Sequence, residues 1–475
     1  MTVKITVLGA GPGGLFAAVR AAQLNAEVTI VEADGLGGTC LNRGCIPSKI
    51  MREAGALMME CERFSKFGVN LPGPPEIDMA QLSARRQEVV AAQAKGVARI
   101  LEKNGVRMIS GRGFIEGPQK LTVTAGDGST QTIEWDRLII AAGAGPRELP
   151  HIPFDGEQVI SSTEALSLES VPESVVIAGG GVIGCEFATI FSTLGSRVSL
   201  VEAMERLLPL PLVDESCSKT LLREFKKQKI KCYLGRAVES IRKSGGSLDV
   251  TIGGSPLKPQ TDPPAAVVEP AEKLLVCVGR SPGLSGMGLE NIGIETDSQG
   301  WIKANSRMET PAENVYAVGD VLGPSKLMLA YVASKEGMTA AENALGQCRQ
   351  MRYEAVPNVV FTLPEVASVG LTRERAAEEG YSAGSETVLF RSLGKPQVTG
   401  NINGQAQVVF DTKTEQMLGV HIVGPKATDI IPEATLAVNR HTTVRDVAQT
   451  MHGHPTHAEI MEELAAKAIG REIYG

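Results

Sequence analysis

Two stretches of the chain repeat the same order of apolar and small residues. Each has a short run rich in Val and Ile, then a glycine-rich turn, an apolar helical stretch, and a second apolar run that ends in Val-Glu. The first copy begins at residue 5 and the second at residue 175, 170 residues later. A β-branched run predicts a buried strand, and the longer apolar stretch after the turn predicts a helix packed on it. The repeat therefore predicts two β-α-β units of the kind found in parallel sheets.

The turn of each copy carries glycines at a spacing typical of dinucleotide sites. The two sets are Gly9, Gly11 and Gly14, and Gly179, Gly181 and Gly184. The first glycine allows a tight turn, the second lets backbone approach a pyrophosphate, and the third lets the helix pack closely. An acidic residue that can bind a ribose follows each last glycine after 18 positions, Glu32 and Glu202. One such motif alone also describes an ordinary glycine turn, but the doubled pattern predicts two dinucleotide sites.

Composition narrows the class of protein. The chain has 475 residues, 43% hydrophobic and 21% charged, and its length predicts about three domains. A net charge of -7 gives no basic surface for nucleic acid. Eight scattered cysteines favour a reducing cytoplasm over a secreted disulfide scaffold. The early glycines and Arg20 argue against a secretory signal, and no run of 18 apolar residues predicts a membrane span, so we expect a cytoplasmic protein.

A pair of cysteines follows directly on the first dinucleotide unit. Cys40 and Cys45 lie in the run Gly-Gly-Thr-Cys-Leu-Asn-Arg-Gly-Cys-Ile-Pro-Ser-Lys, residues 37–49. Two thiols next to a two-electron carrier predict electron transfer through a disulfide. The alternatives are two structural cysteines or half of a metal site. No second cysteine pair lies at metal-ligand spacing from this one, so we expect no metal.

The residues around the pair predict a reactive thiol. A helical pattern runs through residues 46–66, which places Cys45 at the positive end of a helix. Lys49, one turn further on, adds a cation, and both features favour the thiolate. Residues five apart on a regular helix do not face each other, so Asn42 and Gly44 are expected to bend the segment.

The thiol segment resembles that of the flavin-dependent pyridine nucleotide-disulfide oxidoreductases, most closely their dihydrolipoamide dehydrogenase branch. The likeness extends over nearly the whole chain. It implies a homodimer of α/β chains, with two Rossmann-like domains for FAD and NAD and a C-terminal α+β dimerisation domain. The expected domains are 1–150 for FAD with the disulfide, 151–272 for NAD, 273–348 for the returning part of the FAD domain, and 349–475 for the interface.

The resemblance also assigns roles around the flavin. Cys45 is then the thiol that faces the flavin, and Cys40 exchanges with substrate. Lys49 lies near the flavin's reactive nitrogen, paired with Glu186, and the alternative for Lys49 is a solvated helix charge. Asp320 lies in a run that resembles the returning FAD motif and contacts the ribityl chain, whereas the alternative is an Asp-capped turn. Further cofactor contacts are expected at Thr39, Gly113, Ala330, Val238 and Gly279.

The two dinucleotide units are expected to hold different cofactors. The thiol pair follows Glu32, so the first unit holds the carrier that exchanges electrons with it, which suits FAD. At the second unit Glu202 accepts hydrogen bonds from a free ribose 2′-hydroxyl and repels a 2′-phosphate. The next three residues contain no arginine, and Arg206 is the exception. The second unit is therefore expected to bind NAD rather than NADP.

A histidine-rich run near the C-terminus resembles the acid–base motif of lipoamide enzymes. It reads His452-Gly-His454-Pro-Thr456-His457-Ala-Glu459. In the family the His before Pro is the acid–base catalyst and the Glu orients it, which here means His454 and Glu459. An imidazole takes and returns a proton near pH 7, especially when a carboxylate fixes its tautomer. Thr456 and Glu459 also fit a helix capping box, and the two other histidines are interpreted as local polar residues.

Three positions depart from the pattern of the lipoamide enzymes. Arg43 lies inside the disulfide loop where many of them carry Val, and we expect it to reach solvent. Tyr331 and Leu363 lie where they usually carry His, which leaves details of the flavin surroundings and dimer contacts open.

The sequence thus predicts an NAD-dependent enzyme that oxidises dihydrolipoyl groups through the Cys40/Cys45 disulfide and FAD. The dihydrolipoyl group is free or carried on a lipoyl carrier protein of a 2-oxoacid dehydrogenase or glycine cleavage complex. One alternative is an NAD(P)H-dependent reductase of another disulfide, such as a glutathione-like compound. Another, from a different class, is a flavoprotein scaffold without turnover.

Overall fold

The computed structural model describes residues 2–257 and 264–473, which form two compact units. The first unit combines Met1–Ile50, Ala80–Arg147 and Gly279–Arg352, and the second combines Met51–Met79, Glu148–Val278 and Tyr353–Gly475. Each unit is therefore assembled from three separate stretches of sequence. The four-part domain division expected from the sequence stays a prediction.

The first 147 residues alternate strands and helices. In chain order they form β1 (Lys4–Leu8), α1 (Pro12–Gln23), β2 (Glu27–Glu32), α2 (Gly38–Arg43), α3 (Cys45–Cys61), α4 (Met79–Lys103), β3 (Arg107–Ser110), β4 (Arg112–Gly117), β5 (Lys120–Thr124), β6 (Thr130–Glu134), β7 (Arg137–Ile140) and β8 (Ala144–Pro146). The helix predicted for residues 46–66 thus begins at Cys45 and ends at Cys61, and a 3₁₀ helix follows at Phe64–Phe67.

The next stretch repeats the alternation. It contains β9 (Val159–Ile160), α5 (Ser162–Ala165), β10 (Ser174–Ala178), α6 (Val182–Leu194), β11 (Arg197–Glu202), α7 (Glu215–Lys227), β12 (Lys231–Leu234), β13 (Arg236–Ser244), β14 (Ser247–Gly254), β15 (Val267–Ala271), β16 (Lys273–Val276), β17 (Arg280–Pro282), β18 (Val315–Ala317) and α8 (Ala330–Ala344). Two 3₁₀ helices lie at Leu289–Ile292 and Gly319–Leu322.

The C-terminal stretch mixes strands with helices in another order. Its elements are β19 (Asn358–Val360), β20 (Glu365–Gly370), α9 (Arg373–Glu378), β21 (Ala383–Leu389), α10 (Gly394–Thr399), β22 (Gln405–Asp411), β23 (Met417–Gly424), α11 (Ala427–Asn439), α12 (Val444–Ala448) and α13 (Glu459–Ala468). A 3₁₀ helix lies at Phe390–Ser392.

A five-stranded parallel sheet forms the centre of the first unit. Its strand order is β18-β7-β1-β2-β3. β2 and β3 are added on one side of β1, and β7 and β18, which come later in the chain, are added on the other side. The strand order therefore reverses between β1 and β7. Ligands of such sheets bind at the carboxyl ends of the strands where the order reverses. Helix α1 starts there and packs against α8.

The second unit contains a parallel sheet of order β12-β11-β10-β16-β9, in which the first four strands have the order of β3-β2-β1-β7. β10 takes the place of β1, and every residue of β10 is buried. The same unit contains an antiparallel sheet, β19-β20-β23-β22-β21, whose core side chains pack with those of α11, α12 and α13. The predicted fold class, two Rossmann-like α/β sheets plus a C-terminal α+β domain, is confirmed.

Candidate active site

The first glycine motif forms the turn between β1 and α1. Gly9 has φ +103°, a left-handed conformation that favours glycine. A Cβ on Gly14 would overlap the carbonyl oxygen of Gly9, so only glycine lets α1 start so close to the strand. At the end of β2, Glu32 accepts hydrogen bonds from the Ala10 amide at 2.6 Å and from the Asp34 amide at 2.9 Å. These bonds hold the carboxylate beside the turn.

The second motif repeats this geometry between β10 and α6. Gly179 has φ +108°, and a Cβ on Gly184 would overlap its carbonyl oxygen. Glu202 accepts hydrogen bonds from the Gly180 amide at 2.6 Å and the Met204 amide at 2.7 Å. The two copies therefore agree down to single hydrogen bonds, which confirms the internal repeat.

Both turns leave the room that a dinucleotide needs. A Cβ on Gly11 would meet its nearest neighbour only at 4.0 Å, and a Cβ on Gly181 would meet nothing within 4 Å. The same two glycines are the N-caps of α1 and α6, and neither helix has a side-chain cap. The first amides of each helix thus keep their donors for a pyrophosphate. The residues present fit FAD at the first motif and NAD at the second.

Arg206, the cation that follows Glu202, is engaged elsewhere. Its guanidinium donates to the carbonyl oxygens of Val213 and Leu210 at 2.9 and 3.0 Å and to the Ser218 hydroxyl at 2.9 Å. These bonds hold the loop after β11 and occupy both terminal nitrogens. A 2′-phosphate would therefore meet the buried Glu202 without help from Arg206.

The two cysteines lie on successive helices separated by Gly44. Gly44 has φ −145° and ψ −113°, and a Cβ there would lie 2.8 Å from the carbonyl oxygen of Thr39. The Asn42 amide donates to two carbonyls of the preceding turn at 3.0 and 2.9 Å. The predicted bend is therefore found at Gly44, whereas Asn42 lies inside α2, and the helix restarts at Cys45.

The thiols contact each other across this break. Both cysteines are in the thiol form, with Cys40 half-buried and Cys45 exposed. The hydrogen bond between the thiols, together with burial, raises the pKa of Cys40 far above its ordinary value, and the Lys49 ammonium acts weakly the other way. Cys40 therefore favours its protonated form, and Cys45 lies at the positive end of α3.

Two departures from the family pattern lie near the thiols. Arg43, expected to reach solvent, is 42% exposed but forms an ion pair with Asp34, which ties α2 to the end of β2. Tyr331 lies in the first turn of α8. Burial and then the charge of Cys45 raise the pKa of the Tyr331 phenol, which places this side chain within electrostatic reach of the pair.

Asp320 lies in the 3₁₀ helix after β18. Burial raises the pKa of its carboxyl group, and Arg280, whose Nε lies 3.4 Å from a carboxylate oxygen, partly offsets that effect. The carboxylate does not cap the turn, and it has no other partner among the described residues. It is thus available to accept a hydrogen bond from a cofactor hydroxyl.

The remaining predicted cofactor residues are distributed over several elements. They are Thr39 in α2, Gly113 in β4, Ala330 at the start of α8, Val238 in β13, and Gly279 just after β16. Gly279 has φ +120° and open space around its Cα. Val238 is buried, and a Cβ on Gly113 would lie 2.8 Å from Leu8. Their cofactor contacts stay predictions.

Glu186 and Lys49 were expected to form a pair. Glu186 is buried in α6 and accepts a hydrogen bond from the Phe361 amide at 3.0 Å. Lys49 lies in α3, its Nζ 3.4 Å from the Ser48 hydroxyl. Their pairing beside the flavin stays a prediction.

The predicted acid–base pair forms in the second unit. Nδ1 of His454 lies 2.7 Å from Oε1 of Glu459, and the His454 side chain is 67% exposed. Oε2 of Glu459 accepts the Thr456 amide at 2.7 Å. With its Nδ1 proton donated to the carboxylate, a neutral His454 carries its lone pair on Nε2. Only half of the capping box forms, because the Thr456 hydroxyl has no hydrogen-bond partner.

His452 was interpreted as a local polar residue, and that interpretation misses its contacts. The side chain is 6% exposed and lies beside Glu433 of α11 and Glu462 of α13. Glu433 precedes it by 19 residues, so no local spacing reveals the contact. The one feature of the sequence that could have indicated these contacts is that the histidine run is flanked by helices that carry acidic residues.

Two absences apply to residues 2–257 and 264–473. No helix there has the length and apolar character to cross a membrane. Within the same residues, no group of three or more His, Cys, Asp or Glu side chains could hold a metal ion.

Two dinucleotide motifs and a thiol pair next to the first of them define a nucleotide-dependent disulfide oxidoreductase. The chain belongs to the pyridine nucleotide-disulphide oxidoreductase family, which it matches over residues 3–337. Residues 356–465 match the dimerisation domain of that family.

The matches to curated relatives and to a solved structure cover 98% or 99% of this chain. It is 39% identical over 472 residues to the dihydrolipoyl dehydrogenase of Thermus scotoductus, covering 99% of this chain and 98% of that one. It is 38% identical over 473 residues to the dihydrolipoyl dehydrogenase of Halobacterium salinarum, covering 99% and 97%. LpdA from Mycobacterium tuberculosis has a TM-score of 0.89 at 29% identity, covering 98% of this chain and 99% of that one.

Proposed function

We propose that the protein is a dihydrolipoyl dehydrogenase, which transfers two electrons from a dihydrolipoyl group through Cys40 and Cys45 to FAD and then to NAD. The observation that carries the proposal is the thiol pair on α2 and α3, directly after the first dinucleotide motif. The His454–Glu459 pair supplies the base that such a reaction needs. Relatives of that name at 38% and 39% identity support the substrate class.

Thiol exchange starts from the oxidised Cys40–Cys45 disulfide. His454 takes a proton from one substrate thiol at Nε2, and the resulting thiolate attacks the Cys40 sulfur. A bond forms between the substrate sulfur and Cys40, the Cys40–Cys45 bond breaks, and Cys45 leaves as a thiolate at the start of α3. Glu459 holds the His454 ring by the 2.7 Å bond to Nδ1 and balances the imidazolium charge.

The second substrate thiol completes the exchange. It attacks the substrate sulfur bound to Cys40 and closes the lipoyl ring. The bond to Cys40 breaks, Cys40 takes the proton held by His454, and His454 then takes the proton of the second substrate thiol. The substrate has then lost two electrons and two protons, and the enzyme pair holds the two electrons. The first motif, with Glu32, would hold FAD, which would supply a two-electron acceptor for the thiols, and the second motif, with Glu202, would hold NAD as the final acceptor.

The dinucleotide contacts follow from the two motifs. The amides at the start of α1 and α6 are proposed to bind the pyrophosphates of FAD and NAD, and Glu32 and Glu202 to bind the adenosine riboses. Asp320 is proposed to bind the ribityl chain. Lys49, paired with Glu186, is proposed to lie near the reactive nitrogen of the flavin.

We further propose a homodimer whose active sites are shared. The match of residues 356–465 to a dimerisation domain supports the pairing of chains. The thiols of one chain would then meet His454 of the other. The proposed substrate in the cell is a dihydrolipoyl group on a carrier protein of a 2-oxoacid dehydrogenase or glycine cleavage complex, in the cytoplasm.

Steady-state rates test the proposal against the nearest alternative. The purified holoenzyme is assayed for NAD reduction by dihydrolipoamide and for NADPH oxidation by glutathione disulfide. We expect turnover in the first assay and background rates in the second. Turnover of glutathione disulfide with NADPH and none of dihydrolipoamide with NAD would make the protein a reductase of another disulfide.

A further inference from the structure

His452 is held by three oxygen atoms. Its Nε2 lies 2.9 Å from Oε1 of Glu433 in α11. Its Nδ1 lies 2.9 Å from the carbonyl oxygen of Thr450 and 3.4 Å from Oε2 of Glu462 in α13. The His452 side chain is only 6% exposed, so water competes little for these contacts. One side chain thus joins the chain before His454 to two helices.

The three partners of His452 are all acceptors when the carboxylates are ionised. A neutral imidazole has one N–H and one lone pair, so one of its nitrogens would set a lone pair against an oxygen lone pair. The imidazolium donates from both nitrogens and satisfies all partners. Burial opposes the charge, but the hydrogen bonds that His452 donates to Glu433 and to the Thr450 carbonyl, and the charges of Glu433 and Glu462, together raise the pKa of His452 above its ordinary value.

The acid–base pair lies next to this charged contact. Only Gly453 separates His452 from His454, and both histidines lie between the end of α12 and the start of α13. The pKa of Glu459, the partner of His454, depends on both histidine rings. Burial acts to raise the pKa of Glu459, but its hydrogen bonds and the charges of the two histidines lower it overall.

We propose that His452 is a positioning residue for the base His454. Held between Glu433 and Glu462, it fixes the segment that carries His454 and balances two carboxylates whose charge would otherwise act on the base. The inference deepens the proposed function and rests on it, because a fixed base matters for thiol exchange. His457, in the same segment, has no such contacts: its ring packs 6.5 Å from that of Phe390, and its Nε2 lacks a hydrogen-bond partner.

A charge-removing substitution gives the main test. In His452→Gln the side chain keeps a hydrogen bond but loses its charge, so Glu433 and Glu462 lose the cation that lies two residues before His454. Negative charge favours a protonated base, so the acid limb of kcat/KM for dihydrolipoamide oxidation should move up by on the order of half a pH unit. On the acid limb kcat/KM at a fixed pH should then fall about threefold, the factor that a half-unit shift of the limb gives.

A second substitution separates charge from shape. Adding Glu433→Gln to His452→Gln removes one unbalanced carboxylate and leaves two amides that can bond to each other. The acid limb should then return toward that of the wild type. The matched control is His457→Gln, which changes a histidine of the same segment without touching either carboxylate, and it should keep the wild-type limb.

A measurement without substrate tests the role of His452 even if the proposed function fails. Diethyl pyrocarbonate modifies neutral imidazole, so the pH midpoint of His454 modification, followed by mass spectrometry, reports its protonation directly. His452→Gln should raise that midpoint, and Glu433→Gln or Glu462→Gln alone should lower it. The single glutamate variants also serve if His452→Gln does not fold.

The outcomes separate the two claims. Absence of dihydrolipoamide turnover in the wild type overturns the proposed function. The pH midpoint of His454 modification then still tests whether His452 acts on His454. An unchanged acid limb and an unchanged midpoint in His452→Gln overturn the inference. A loss of rate that is equal at every pH and is not restored by Glu433→Gln also overturns it, because His452 would then be structural only.

Discussion

Glu202 is the side chain that we expect to decide between NAD and NADP. Two amides fix its carboxylate, at 2.6 and 2.7 Å, and Arg206 is bound to its own loop. We therefore expect kcat/KM for NADH to exceed that for NADPH by at least about a hundredfold, roughly 2.7 kcal/mol. Glu202→Gln, which removes the repulsion of a 2′-phosphate, should narrow the ratio to about tenfold. Glu205→Gln is the control and should keep the wild-type ratio. Equal kcat/KM values for NADH and NADPH in the wild type would contradict the assignment of Glu202.

His454 is expected to act only in the half-reaction that uses thiols. His454→Gln removes the base and should slow dihydrolipoamide turnover on the order of a hundredfold. Reduction of the bound flavin by NADH in an anaerobic stopped-flow experiment should keep the wild-type rate, because no substrate thiol is deprotonated there. The role fails if both half-reactions slow equally, or if His457→Gln has the same effect as His454→Gln.

Single residues were predictable from sequence where local spacing carries the chemistry. The glycines, the cysteines and the His454–Glu459 pair belong to this group, because each acts through neighbours in a short segment. The contacts of Arg206 and Arg43 were not predictable, since a long cation can bind any nearby oxygen. The contact of His452 with Glu433 needs the packing of α11 against the later segment, which no local pattern encodes.

The break between α2 and α3 is the element on which the thiol geometry depends. A side chain at Gly44 would lie 2.8 Å from the Thr39 carbonyl, so the backbone must shift to accept it. Gly44→Ala should lower the free energy of unfolding by about 1–3 kcal/mol. It should also reduce the rate of thiol exchange, because the two sulfurs no longer face each other.

A matched glycine variant tests whether this effect is local. Gly73→Ala introduces a Cβ that meets nothing within 4 Å and should change neither stability nor rate. Denaturant unfolding and dihydrolipoamide turnover measure both variants. A Gly44→Ala enzyme that matches Gly73→Ala in both measurements would show that the break tolerates a side chain.

The segment between α12 and α13 should show a pH-dependent stability. The folded state raises the pKa of His452, so it binds this proton more tightly than the unfolded chain does. The stabilisation is complete below about pH 6.5, the ordinary value for histidine, and is lost as pH rises through the folded value. The Tm difference between wild type and His452→Gln should thus be largest near pH 6 and shrink toward pH 9.

His457, in the same segment, should show the opposite dependence of stability on pH. Burial, followed by the charges of Lys395 and Lys426, lowers the pKa of His457. Its stabilising effect therefore belongs to the neutral form and is lost as pH falls below about 6.5. The Tm difference between wild type and His457→Gln should grow with pH. Parallel pH trends for the two variants would contradict the contacts described for His452.

Elements were predictable where apolar periodicity and glycines coincide, as in the two β-α-β units. The end of α3 was harder to place. The helical pattern continues past Cys61, but the chain changes to a 3₁₀ helix at Phe64–Phe67 and turns at Gly68, which has φ +75°. The stretch ends at a left-handed glycine and buries no residue of its 3₁₀ helix, so apolar periodicity does not mark where α3 ends.

At the scale of the whole molecule, the thiols and the base belong to different units of the chain. The proposed dimer joins them across two copies. Co-expression of Cys40→Ser chains with His454→Gln chains should give mixed dimers with one intact site. Both parent homodimers should be nearly inactive, so activity regained in purified mixed dimers would support shared sites. Inactive mixed dimers of proven composition would mean that each chain builds its own site.

The architecture was predictable because a repeated motif specifies two similar sheets and the resemblance covers the rest. Four strands of each parallel sheet, β7-β1-β2-β3 and β16-β10-β11-β12, have the same order, which follows from β-α-β units wound the same way. The fifth strands differ, because β18 follows β7 in the chain whereas β9 precedes β10. The pairing of chains was expected from resemblance alone. No pattern of residues in one chain encodes which surface of its copy it meets.

A single turnover tests the central claim most directly. Anaerobic holoenzyme is mixed with one equivalent of dihydrolipoamide and excess NAD, NADH is measured, and thiol labelling with mass spectrometry follows Cys40 and Cys45. One NADH should form for each dihydrolipoamide, and the two cysteines should change from oxidised to reduced and back as a pair. Cys348→Ser, at an exposed cysteine elsewhere, should behave like the wild type, and Cys40→Ser should form no NADH. NADH formation by Cys40→Ser at the wild-type rate, or none by the wild type, would contradict the account.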